Sequence, residues 1–260
     1  MKLIINEWRK FFHQKRISII FPVFQLITTV GFLSIVRIFE NTSSASEPDS
    51  YFLGTSQITF IYLIFFGMVC AATTITKEAS SGTIKFLLTR PYNRHKIMLA
   101  KFSSIIILMV VYGSISELLN YFLQFIFLGE LPPFSFAMSQ LVVTIAKILV
   151  VSVFFCSFAL MISALVDSSA FTTAVTFIYF TMGSPVWSLA AQFLKIDRNG
   201  WIFKLCPLQS NSYLLGLMNA DKISFDGNLL ITIITNLAYA FIFYLIGDFI
   251  FSKKDISLAN

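Results

Sequence analysis

Six apolar runs long enough to cross a bilayer recur along the chain, and the stretches between them carry most of its charge. A helix needs ~20 mostly apolar residues to span a ~30 Å hydrocarbon core. The candidate spans are residues 17–39, 53–76, 102–128, 138–166, 170–194 and 229–251. The runs are continuous and do not alternate every second residue, which predicts helices and not barrel strands. Thr, Ser and Gln dilute the second and fifth, and such side chains are accommodated where helices pack on one another. The first run is longer than the ~7–15 residues of a signal-peptide core, so it is read as a retained span. The expected fold class is an all-α integral membrane protein of six transmembrane helices, one transmembrane domain over residues 1–260.

Composition agrees with that pattern. The chain is 57% hydrophobic, holds 30 Phe and is only 12% charged. A soluble domain carries about twice that charged fraction, and one soluble core cannot hide so much apolar surface. The net charge of +6 does not call for nucleic acid, because the basic residues flank apolar spans.

Those basic residues set the expected topology. With the N-terminus in the cytoplasm, the N-terminal segment, the 2–3 loop and the tail hold thirteen Lys and Arg, against four in the 5–6 segment. Both termini are therefore expected inside, with the lipid bilayer as the solvent of the spans. Residues 1–16 place Ile4, Trp8, Phe11 and Phe12 on one helical face. An amphipathic interfacial helix is expected there, with Trp8, Arg9 and Lys10 at the membrane interface. The external segment 195–228 is half polar and broken by Pro207. It is read as short helices lying on, or dipping into, the outer leaflet.

Several chemistries are missing. No G-x-x-x-x-G-K-[S/T] phosphate loop occurs, so the chain alone is not expected to hydrolyse ATP. No H-E-x-x-H occurs, and His13 and His95 both fall in predicted cytoplasmic segments. Cys70, Cys156 and Cys206 form neither a disulfide framework nor a metal-ligand spacing. No metal site, catalytic residue or cofactor is expected in this chain.

Two ionisable residues lie well inside apolar runs, Glu117 in the third and Lys147 in the fourth. An intramembrane charge costs ~2.5–3.5 kcal/mol on insertion scales, so a partner or a function is expected. Consecutive antiparallel spans place the two at similar depth. They are read as a charged pair between helices, with a polar point on a substrate path as the alternative.

The most informative stretch is residues 76–101, TKEASSGTIKFLLTRPYNRHKIMLAK. Polar residues lead into an apolar patch of Ile84, Phe86, Leu87 and Leu88. Arg90 and Pro91 then stop that element, since Pro lacks an amide donor and restricts its predecessor. A short amphipathic element between two spans suits a contact with a soluble partner. The series Glu78, Gly82, Thr83, Leu87, Leu88, Thr89, Pro91, Tyr92, Arg94 and Lys101 resembles the cytoplasmic loop of type-2 ABC exporter permeases. Tyr92 departs from the usual aliphatic residue.

The resemblance implies a transmembrane permease subunit with no enzyme activity of its own. Residues 77–101 would be the coupling loop, with Glu78, Gly82, Thr83, Phe86, Leu87, Leu88, Arg90, Pro91 and Arg94 as the ATPase contact. It further implies two copies of a cytoplasmic ABC ATPase subunit that bind ATP and Mg, and a second permease subunit in a homodimer. The chain is similar to small bacterial peptide-export permeases such as the phenol-soluble modulin exporter. That implies export of hydrophobic or amphipathic antimicrobial or cytolytic peptides across a bacterial plasma membrane. The alternatives are a secondary transporter, which would show inverted repeats and broken helices, a membrane-embedded enzyme, and a non-transporting polytopic scaffold.

Overall fold

The structure, a computed structural model, describes residue 8 and residues 15–40, 48–80, 94–196, 200–218 and 227–253. Among these residues all the regular structure is helical. The elements are α1 (Lys15–Glu40), α2 (Pro48–Ser80), α3 (Arg94–Leu128), α4 (Phe134–Lys147), a π-helical turn (Ile148–Ser152), α5 (Val153–Leu165), α6 (Ser169–Phe193), α7 (Trp201–Leu205), α8 (Pro207–Met218) and α9 (Gly227–Lys253). The π turn joins α4 to α5, so the fourth apolar run is one continuous helix over Phe134–Leu165. Among the described residues six helices are thus long and apolar enough to cross a membrane.

The helices outrun the apolar stretches that announce them. α2 continues to Ser80 and α3 begins at Arg94, so both ends of the stretch read as the 77–101 loop are helical. Hydropathy marks only the part of a helix that lies in hydrocarbon, whereas backbone hydrogen bonding continues past it. Gly129 ends α3 at φ 75°, where its amide bonds the Phe125 carbonyl at 3.0 Å. A left-handed glycine is the common helix stop. Ser168 caps α6, its hydroxyl accepting from the Phe171 amide at 3.3 Å.

The chain forms two compact units, Met1–Phe66 with Ile106–Leu149, and Gly67–Ile105 with Val150–Asn260. The first gathers α1, the early part of α2, the later part of α3, and α4. Its aromatic contacts include Phe24 with Tyr62 and Phe52 with both Tyr121 and Phe136.

In the second unit α9 packs closely on α5. A Cβ on Gly247 would lie 3.1 Å from the Met161 Cα, tighter than most Cβ contacts. Phe154 and Phe158 pack against Phe243 of α9 and Tyr179 of α6.

The short helices α7 and α8 make an elbow beside the middle of two spans. Tyr179 of α6 donates to the Pro207 carbonyl at 2.8 Å, and Tyr239 of α9 to the Leu205 carbonyl at 3.2 Å. Tyr179 lies fourteen residues before Phe193, which is ~21 Å along the helix. The elbow therefore sits beside mid-helix. Irregular backbone at membrane depth must have its polar groups satisfied within the protein. Trp187 adds a third such bond, to the Phe203 carbonyl at 3.2 Å.

Candidate functional site

Two polar assemblies stand out against the apolar spans, one in each unit. The first grows from polar residues repeated every third or fourth position: Gln25 and Thr29 on α1, Ser56 and Thr59 on α2, Ser116, Glu117, Asn120 and Gln124 on α3, Thr144 and Lys147 on α4. This spacing puts each set on one helical face. All ten are buried.

Seven of them hydrogen-bond to one another. Gln25 donates to the Thr59 hydroxyl at 3.0 Å and accepts from Ser116 at 3.1 Å. Asn120 donates to the same Thr59 oxygen at 2.8 Å. Ser56 and Thr144 donate to the two carboxylate oxygens of Glu117 at 2.8 and 2.9 Å. The Lys147 ammonium stands 5.8 Å from the centre of the Phe60 ring, within range of a cation–π attraction. The structure thus sets Glu117 in a polar core and buries Lys147 beside Phe60 in the same unit. It adds Gln25, Ser56, Thr59, Asn120 and Thr144, which sequence reasoning passed over. Their signal was present as polar residues at i, i+4 spacing within apolar runs.

The second assembly is the foot of α2, α3 and α9, where the motif stretch begins and ends. Arg94 Nη1 donates to the Ser252 carbonyl at 2.8 Å. Next to it, His95 Nδ1 pairs with Asp248 Oδ2. Two turns on, Phe102 packs on Tyr244 with ring centres 5.2 Å apart. Lys101, read from sequence as a loop residue, is fully buried, and its ammonium reaches the Thr74 carbonyl of α2 at 3.4 Å. The foot of α3 is therefore fixed both to α2 and to α9.

Of the expected ATPase contacts, Arg94 belongs to this foot and Glu78 lies in the last turn of α2. Gly82, Thr83, Phe86, Leu87, Leu88, Arg90 and Pro91 lie outside the described residues, as do Arg9 and Lys10. Trp8 is helical and half-buried. Among the described residues no group of three His, Cys, Asp or Glu could hold a metal ion.

Each assembly bonds helices to helices. No curated protein matches the chain.

Proposed function

We propose, from the finding that this chain belongs to the ABC-2 family of transporter proteins, whose sequence profile it matches over residues 1–256, that it is an exporter subunit driven through its 2–3 segment by a separate ATPase. Membership of that family supports a multi-pass ABC permease subunit, and in this reading ATP hydrolysis belongs to a partner. The finer reading follows from the residues. Residues 81–93 alone connect α2 to α3, and the flanking helix ends are held by Lys101, Arg94 and His95. That anchorage is the observation that carries the proposal. A segment with little slack at either end passes a push to the spans.

In this reading Glu78, Gly82, Thr83, Phe86, Leu87, Leu88, Arg90 and Pro91 seat on the ATPase, with Arg94 at the hinge into α3. Two ATPase copies hold ATP and Mg beneath a homodimer of this chain. Both termini are cytoplasmic, and Trp8, Arg9 and Lys10 lie at the inner surface of a bacterial plasma membrane. The exported substrate is an amphipathic or hydrophobic peptide, supported by the likeness to small peptide-export permeases. Glu117 and Lys147 serve as a structural pair.

Co-purification tests the ATPase seat. Leu87→Asp with Leu88→Asp should abolish capture of the ATPase while membrane insertion continues. Undiminished capture overturns the seat. A secondary transporter would instead be driven by an ion gradient and would not respond to ATP.

A further inference from the structure

We propose that Arg94 and His95 are positioning residues that bind the ATPase-facing segment to α9, so that its displacement moves α9 as a strut. The inference rests on the reading of residues 81–93 as the ATPase seat.

The contacts climb both helices in step. On α9 the partners are Ser252, Asp248 and Tyr244, each four residues from the next. On α3 they are Arg94, His95 and Phe102. The two helices thus touch along one face of α9 for more than two turns. Ser252 is the penultimate residue of α9, so its carbonyl is one of the last four that the helix itself leaves unbonded. Arg94 supplies that bond, with a cation at the negative end of the helix.

Asp248 makes the choice of residues telling. It is only 9% exposed and its Oδ1 is buried with no hydrogen-bond partner, so His95 meets just one of its two oxygens. An apolar residue would fill the position at less cost, because a half-satisfied buried carboxyl is a burden. What the acid adds is a directional link to α3.

From there α9 has no slack. Gly247 rests on the backbone of Met161, Phe243 packs on Phe154 and Phe158, and Tyr239 bonds the elbow at Leu205. Asp248 and Tyr239 are nine residues apart, or ~14 Å of continuous helix. A shift at the foot therefore reaches the elbow between α7 and α8.

The test uses the full chain with its ATPase in proteoliposomes, with Cys70, Cys156 and Cys206 replaced by Ala. Single reporter thiols are Ile231→Cys in the first turns of α9 and Phe125→Cys in the last turn of α3. Their maleimide labelling rates are compared without nucleotide and after trapping with ATP and vanadate. With the link intact, both rates should change on trapping by about fivefold or more. Asp248→Asn, which keeps shape, and His95→Ala should erase the change at position 231 and keep it at position 125. The exchange of the two partners, His95→Asp with Asp248→His, should restore it. If position 231 responds equally in the single variants, the strut is overturned while the ATPase reading stands. If neither reporter responds with the link intact, the ATPase reading falls and the strut with it.

Discussion

Thr144 of α4 donates its hydroxyl to the Glu117 carboxylate of α3 at 2.9 Å, and Ser56 of α2 meets the other carboxylate oxygen at 2.8 Å. One acid thus joins three helices. Hydrogen bonds to charged groups contribute about 1.5–3 kcal/mol. Thr144→Val keeps the shape and removes the donor, so it should lower stability by about that amount, read as a lower melting temperature in detergent. A melting temperature equal to that of the unaltered chain would mean that Glu117 is held by its other partners alone.

The same core makes a reciprocal prediction for its two charges. Breaking a buried ion pair costs about 3–5 kcal/mol in soluble proteins. Glu117→Lys or Lys147→Glu alone should reduce monodisperse yield sharply, and the double exchange should recover much of it. Single variants that fold normally but lose transport would move the pair onto the substrate path. A double variant worse than either single would show that the two charges do not compensate one another.

Gly247 offers a test of packing. An added methyl would sit 3.1 Å from the Met161 Cα and 3.3 Å from its nitrogen, both backbone atoms that cannot swing aside. Close backbone approach is what small residues provide between membrane helices. Gly247→Ala should destabilise by about 1–3 kcal/mol, and Gly247→Val by more. Equal thermal stability of all three forms would show that α9 can stand off from α5 at no cost.

The elbow depends on two tyrosine hydroxyls. Tyr179→Phe with Tyr239→Phe leaves the carbonyls of Pro207 and Leu205 without those donors. Such bonds are worth about 0.6–2 kcal/mol each in membranes. Cys206 lies between the two carbonyls and is half-buried. It should react faster with a membrane-permeant maleimide in the double variant. Unchanged reactivity would count against the hydroxyls as the elbow's supports.

Topology is open to a direct check. The thirteen-to-four division of basic residues predicts a cytoplasmic C-terminus and an external loop after the first span. A reporter active only outside the cell should be silent when fused after Asn260 and active when inserted near Ser46. The reverse pattern would invert the whole arrangement.

Sequence by itself determined the class of this protein. Six runs of apolar residues are each long enough to bury a helix in hydrocarbon, and a bilayer leaves a chain of continuous runs no other regular structure. It also marked Glu117 and Lys147, because a charge inside such a run stands out without any knowledge of its neighbours. Only the tertiary structure decided what those charges meet. Gln25, Ser56, Thr59, Asn120 and Thr144 are ordinary residues singly, and gain meaning when four helix faces bring them within hydrogen-bonding distance. Lys101 read as the last residue of a cytoplasmic loop until packing enclosed it against α2. Asp248 and His95 are 153 residues apart in the chain. Periodicity is a property of a local stretch and cannot report which distant stretch packs against it. The depth of the elbow at Pro207 has the same origin. Composition could say that the segment needed cover, but only the reach of Tyr179 and Tyr239 from neighbouring helices set where that cover lies.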